Sequence, residues 1–321
     1  MRLLPLLASF LLATSASAAD KAPPRVAVVV PATAAFFAPR LAKFKKVMAE
    51  EGLVEGKHYT LDVVYAGGDY TRFPELTREV LQRNPAAILV STIESVRVAQ
   101  QQTKTVPSLM SSVNDPVGNG LVASLARPGG NTTGLSTLSE DTIGKYVELV
   151  RETLPRAKRV AVLMNPGNPS NLKMMQQALA AGKTFGMEVR DCDVSTPASL
   201  DAAYAAIAKY RPDALLVLMD AMIIAQPQSI SQFALKSRIP AFGPTEDFVT
   251  EGSLLSYTPS LTDIYRRSAA FVGKILSGAK PADLPIEQPT KFELVVNAKT
   301  AKTLGLKFPQ SIVQRVDKVI E

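Results

Sequence analysis

RPDALLVLMD, residues 211–220, and its near copy RNPAAILVST, residues 83–92, decide how this chain is read. Each opens on Arg and Pro, continues as an apolar run and closes on small polar or acidic residues. An unbroken apolar run between turn signals is the pattern of a strand buried on both faces, as in a parallel sheet. Each copy leads through a polar helical stretch into a short strand that starts at a Pro. These are VPSLMSS (106–112) after the first copy and IPAFGPT (239–245) after the second. One strand–helix–strand module is therefore written twice, and two similar α/β lobes are expected.

The flanking sequence extends both modules. PRVAVVVP (24–31) is a β-branched run, PRLAKFKKVMAEEG (39–52) has helical spacing with a Gly stop, and YTLDVVYA (59–66) alternates as a strand. RFPELTREVLQRNP (72–85) reads as an amphipathic helix closed by Pro. Residues 113–135 break this rhythm with five Gly, two Pro and three Asn, and read as a loop-rich passage out of the first sheet. Alternation then resumes, with helices at 141–155, 171–186, 199–212 and 229–237 and strands at 158–165, 187–194, 213–220, 239–244 and 252–258. After Tyr257 only a helix (261–278), a strand (290–297) and a short helix (298–306) remain, too little for a third domain. The expected division is 20–135 with 258–284 for one lobe and 136–257 with 285–321 for the other. A doubly wound α/β fold with parallel sheets follows, its lobes joined by several short crossings.

Composition narrows the function. The formal charge is +7, and no Lys/Arg run exceeds KFKK (43–46), so the clustered basic surface of a nucleic-acid protein is absent. MRLLPLLASFLLATSASAAD has one Arg, an apolar stretch and small residues before Ala18 and Ala19, the form of a secretory signal over residues 1–19. No Cys sits at that junction, so a soluble periplasmic product without a lipid anchor is expected. Cys192 is the sole cysteine and reads as a small buried residue. His58 is the sole histidine, which excludes Ser-His-Asp and Cys-His sites elsewhere and His/Cys zinc cages. No phosphate-cradling loop or nucleophile elbow occurs, and GNGLVA (118–123) lacks the preceding strand a dinucleotide site needs. No enzyme activity, cofactor or metal is expected.

Binding fits the strand ends better, because a parallel sheet presents its ligand loops at the carboxyl ends of its strands. The candidates in the first lobe are Thr33, Phe36, Ser91, Thr92, Ser112, Val113 and Asp115. The second supplies Asn165, Asn168, Asp220, Thr245 and Glu246, with Tyr257 at a crossing. Ser91 and Thr92 precede a helix, whose free N–H groups and dipole suit an anionic group. Asp220, at the matching position, suits a cation such as an ammonium. Ser, Thr and Asp before helices are also ordinary N-caps.

The stretches NDPVGNGLVASLARPGGNTTGLS (114–136), RVAVLMNPGNP (159–169) and GAKPADLPIEQPTKFELVVN (278–297) resemble ABC transporter substrate-binding proteins of the tryptophan/tyrosine-binding-like family. The resemblance covers nearly all of the chain after the signal. It implies the type I periplasmic-binding-protein fold, two Rossmann-like lobes with a three-stranded hinge and a ligand in the cleft. It also implies that Ser91-Thr92 and Ser112-Val113 serve a ligand carboxylate and Asp220 its ammonium. The expected function is capture of a small organic solute, an amino acid and in particular an aromatic one, by hinge closure. The expected partner is a membrane ABC permease, and the expected state is a monomer that binds no nucleic acid. The alternatives are a ligand-sensing protein that feeds a membrane receptor, or an exported α/β hydrolase.

Overall fold

The computed structural model describes residues 22–137 and 139–321, with residues 139–141 as backbone. The expected signal, 1–19, lies outside the described residues. The chain begins β1 (Arg25–Val30), α1 (Ala34–Glu50), β2 (Thr60–Tyr65), α2 (Phe73–Leu81), β3 (Ala87–Val90), α3 (Ile93–Gln102), β4 (Ser108–Asn114) and β5 (Thr132–Thr137). It continues α4 (Ser139–Thr153), β6 (Arg159–Met164), α5 (Pro169–Thr184), β7 (Glu188–Asp193), α6 (Leu200–Tyr210) and β8 (Ala214–Val217). Next come α7 (Ala221–Ile224), α8 (Pro227–Lys236), β9 (Ala241–Gly243), α9 (Glu246–Thr250) and β10 (Leu255–Pro259). The last elements are α10 (Leu261–Leu276), β11 (Phe292–Asn297), α11 (Ala298–Leu304), α12 (Gln310–Val313) and β12 (Lys318–Ile320).

Two sheets result, a five-stranded one ordered β2-β1-β3-β4-β5 and a seven-stranded one ordered β12-β11-β10-β9-β8-β6-β7. The apolar runs explain why each is sandwiched between helices. In β1, Val26, Val28 and Val30 face one core with α1 and α10, while Ala27 and Val29 face another with α2 and α3. In β6, Val160, Val162 and Met164 face α4 and α5, while Ala161 and Leu163 face α6 and α8. Each such side chain contributes roughly 1.5–3 kcal/mol on burial, so both faces must be covered. The two quoted copies also share their entry geometry: Asn84 (φ 51) and Arg211 (φ 52) sit in the left-handed region immediately before Pro85 and Pro212. That is the ordinary way to end a helix and turn into a strand.

Three expectations are corrected. Residues 132–135, the end of the passage read as loop, belong to β5 (Thr132–Thr137), which completes the first sheet. Gly134 makes this pairing feasible, because at its φ of +126 a Cβ would stand 2.2 Å from the Met110 carbonyl oxygen. Secondly, α1 begins at Ala34, with Pro39 inside it. The carbonyl of Ala35, which Pro39 leaves without a helical donor, belongs to an exposed residue that water can serve. Thirdly, the second sheet is not wholly parallel, since β11 runs antiparallel to β10. The outgoing and returning chains lie side by side at a crossing, where the Ser260 N–H donates to the Lys291 carbonyl (3.1 Å).

The chain passes between the sheets three times: from β5 to α4, from β10 to α10, and from residue 287 to β11. Helix α10 packs on the first sheet through Tyr265, Ala269, Phe271, Val272 and Ile275. These passages are tied together. The Ser136 N–H donates to the Glu287 carbonyl (2.9 Å), and the Glu287 N–H to that of Gly134 (3.0 Å). Arg267 joins Asp263 (2.9 Å), Glu287 (3.3 Å) and the Thr290 hydroxyl (2.7 Å).

Candidate functional site

The helix start after β3 is built by Thr92. Its hydroxyl accepts from the Ser95 N–H (3.1 Å), and the Ser95 hydroxyl accepts from the Thr92 N–H (3.1 Å). This reciprocal capping satisfies two of the donors that a helix start exposes. Ser91 is half-buried beside it. The matching position after β8 holds Asp220, only 2% exposed. One of its carboxylate oxygens accepts from the N–H groups of Met222 (2.9 Å) and Ile223 (3.3 Å). The other accepts from the side-chain amides of Asn165 (3.3 Å) and Asn168 (3.0 Å). A carboxylate, which only accepts, suits this ring of four donors. Asn171, missed in the sequence, holds the ring from below by accepting from the Asn165 N–H (2.9 Å) and donating to the Met219 carbonyl (2.9 Å).

Among the described residues, several contacts bridge the lobes around this centre, each from a strand's carboxyl end or the segment after it. After β2, the Tyr70 phenol lies near the Ala221 N–H and Asp220. Burial first, then the carboxylates of Asp220 and Glu94, push the Tyr70 phenol well above its ordinary pKa, against the pull of the Ala221 N–H. In α1, Arg40 pairs with Asp247 of α9. After β4, Asp115 pairs with Lys173 of α5 (2.8 Å), and the Asn114 amide donates to the Ser170 hydroxyl (3.2 Å). Asp115 sits at φ 38 and accepts from the Gly118 N–H (2.8 Å). Desolvation raises its pKa, but the Lys173 hydrogen bond, the Gly118 N–H and the Lys173 charge outweigh it, leaving a net lowering.

The remaining candidates divide. Thr33 caps α1 by accepting from the Phe36 N–H (3.3 Å), and Phe36 lies under the Arg40 guanidinium (3.9 Å to the ring centre). Ser112 lines a cavity of about 10 Å³, room for one water, with Ser111, Thr137, Asp263 and Arg267. Val113 is buried in the first-lobe core with Met110 and Leu121, so only its backbone faces outward chemistry. Glu246 points to Lys318 of β12 (2.6 Å), toward the sheet edge and away from Asp220. The Thr245 hydroxyl is buried without a hydrogen-bond partner, the one candidate rim hydroxyl in that condition among the described residues. Tyr257 stacks on Phe292 (5.3 Å, 19°), and its N–H donates to the Tyr146 hydroxyl (3.0 Å). Tyr70, Arg40, Lys173 and Asp247 escaped the sequence reading because their partners lie far along the chain. The only sequence signal was the Gly-Gly-Asp-Tyr turn (67–70) after β2.

The model of the family described as ABC transporter substrate binding protein matches residues 25–320. A curated tyrosine-binding protein of Clostridioides difficile is 26% identical over 82% of this chain and 75% of its own length. The crystal structure of a conserved domain protein from Vibrio cholerae superposes with a TM-score of 0.85 at 26% identity, covering 92% of this chain and 99% of that one. A Streptococcus pneumoniae ABC domain in complex with L-Trp does so with a TM-score of 0.82 at 22% identity, over 92% and 100% of the two chains. Among the described residues, no helix is long and apolar enough to cross a membrane.

Proposed function

We propose that this chain, which belongs to the family of ABC transporter substrate-binding proteins, is the periplasmic solute-binding component of an importer. It takes an amino acid with an aromatic side chain into the cleft between its lobes, closes on it and passes it unaltered to a membrane permease as a monomer. The bodies that close are the two sheets with their helices, between which the chain passes after β5, after β10 and after residue 287. The observation that carries this reading is the opposed pair of strand-end centres, Thr92 and Asp220, ringed by contacts from both lobes.

The chemistry supports an amino acid. The Thr92 turn offers helix N–H groups and hydroxyls to a carboxylate, and the Asp220 ring offers a carboxylate among amides to an ammonium. The names of the tyrosine-binding relative and of the L-Trp complex support the aromatic choice. Tyr70 is the aromatic neighbour of Asp220, and Phe36 supplies a second ring. In this reading a solute touching both rims favours the closed form by its differential affinity. A micromolar constant corresponds to about −8 kcal/mol, within reach of a few charge-assisted hydrogen bonds and one stacked ring.

Isothermal calorimetry with L-tyrosine, L-tryptophan, L-leucine and D-glucose tests the proposal. Saturable binding of the aromatic amino acids, with the ligand recovered chemically intact, is expected. Sugar binding alone, or a converted ligand, would overturn it.

A further inference from the structure

Resting on that reading, we propose that the ion pairs Arg40–Asp247 and Lys173–Asp115 are paired clasps on opposite flanks of the cleft. They would set the solute affinity through the lobe equilibrium, without belonging to the ligand centre.

Topology places them there. In the first sheet the relevant order is β1-β3-β4, and in the second it is β9-β8-β6. Arg40 lies on the helix after β1 and Asp247 on the helix after β9. Asp115 lies in the loop after β4 and Lys173 on the helix after β6. The middle strands, β3 and β8, carry Thr92 and Asp220. Each pair is thus one strand, about 5 Å, to either side of the centre in both lobes. They also lie on opposite sheet faces. Helix α1 packs with α10, whereas the loop beyond Asp115 packs through Leu121 and Val122 against α2 and α3. In the second lobe, α9 and α5 are likewise divided between the two cores.

Both pairs are prepared within one lobe. Arg40 donates to the Phe36 carbonyl (3.2 Å) and stands over the Phe36 ring, so its guanidinium is aimed before Asp247 arrives. The Asp115 carboxylate is fixed by the Gly118 N–H, at a glycine where a Cβ would meet that carboxylate at 2.0 Å. Preparation of this kind lowers the ordering cost of closing. Burial does not separate the two. The Arg40 side chain is 17% and Asp247 48% exposed, and Lys173 is 40% and Asp115 33% exposed, so each clasp is partly screened and the two are of similar strength.

The test uses Arg40→Gln, Lys173→Gln and the charge exchange Arg40→Glu with Asp247→Arg. L-tyrosine binding should weaken about threefold in each of the first two, through faster release more than slower capture. The exchange should recover most of the loss. Spin labels at Lys46→Cys and Leu179→Cys, both exposed sites on different lobes, report the distance between lobes without any ligand. Cys192 stays out of the labelling because it is buried. The uncharged variants should lengthen and broaden that distance, and raised salt should do the same to the unaltered protein. Unchanged release rates, or an unchanged distance, would overturn the clasps. If the unaltered protein binds no L-tyrosine, the amino-acid reading fails, while the ligand-free distance still decides on the clasps.

Discussion

The two copies of the opening module begin alike and end differently. Both enter from a left-handed residue before Pro, and both run as four-residue strands buried at every position. The first leads into a ten-residue helix capped by hydroxyls, Thr92 and Ser95. The second leads into a four-residue turn capped by a carboxylate, Asp220, ringed by two asparagine amides. The two modules therefore share a scaffold and differ in the charge of its tip. In the proposed function, the first rim meets an anionic group and the second a cationic one.

The largest blow to this comparison is Asp220→Ala. Four donors would lose a buried acceptor, at a cost of about 3 kcal/mol, and denaturant unfolding should show it together with loss of measurable L-tyrosine binding. Thr92→Ala should cost about 1 kcal/mol as a lost cap, with weaker binding on top. Thr92→Ser, which keeps the hydroxyl, should restore both, and a failure to do so would deny the first rim its hydroxyl role. Thr245→Val sharpens the picture. Removing a buried hydroxyl that has no partner should leave the ligand-free protein equally stable or up to about 1 kcal/mol more stable. Binding should fall in the same calorimetry if that hydroxyl meets the solute. The smallest effect is on acidification. Because the Asp115 pKa is lowered in the folded protein, its pairing is complete above the ordinary carboxylate value near 3.9. It is lost only as pH falls through the lowered value. Affinity traced against pH should therefore owe nothing to Asp115 between neutrality and about pH 5.

Much of this was legible because it is local. The apolar runs gave the strands, and their ends marked Thr92 in the first lobe and Asp220, Asn165 and Asn168, which the fold brings to one place in the second. What the residues hid was pairing at a distance. Strand β5 hides in a glycine-rich passage because its critical glycine is required by Met110, a residue of another strand. Glu246 looked like a rim carboxylate until Lys318 drew it to the sheet edge, and Val113 looked accessible until the core claimed its side chain. Arg40 sits in an ordinary helical pattern, and only the approach of the second lobe gives it Asp247.

The passages between the lobes are rungs of one ladder, with residues 134–136 bonded to 287 and Ser260 to Lys291. Strings would let the halves swivel, whereas under the proposed function a tied plate would let them swing about a single axis. The guest would then come in and go out through the same mouth, opposite the plate. Whatever receives it would have to meet both lips at once.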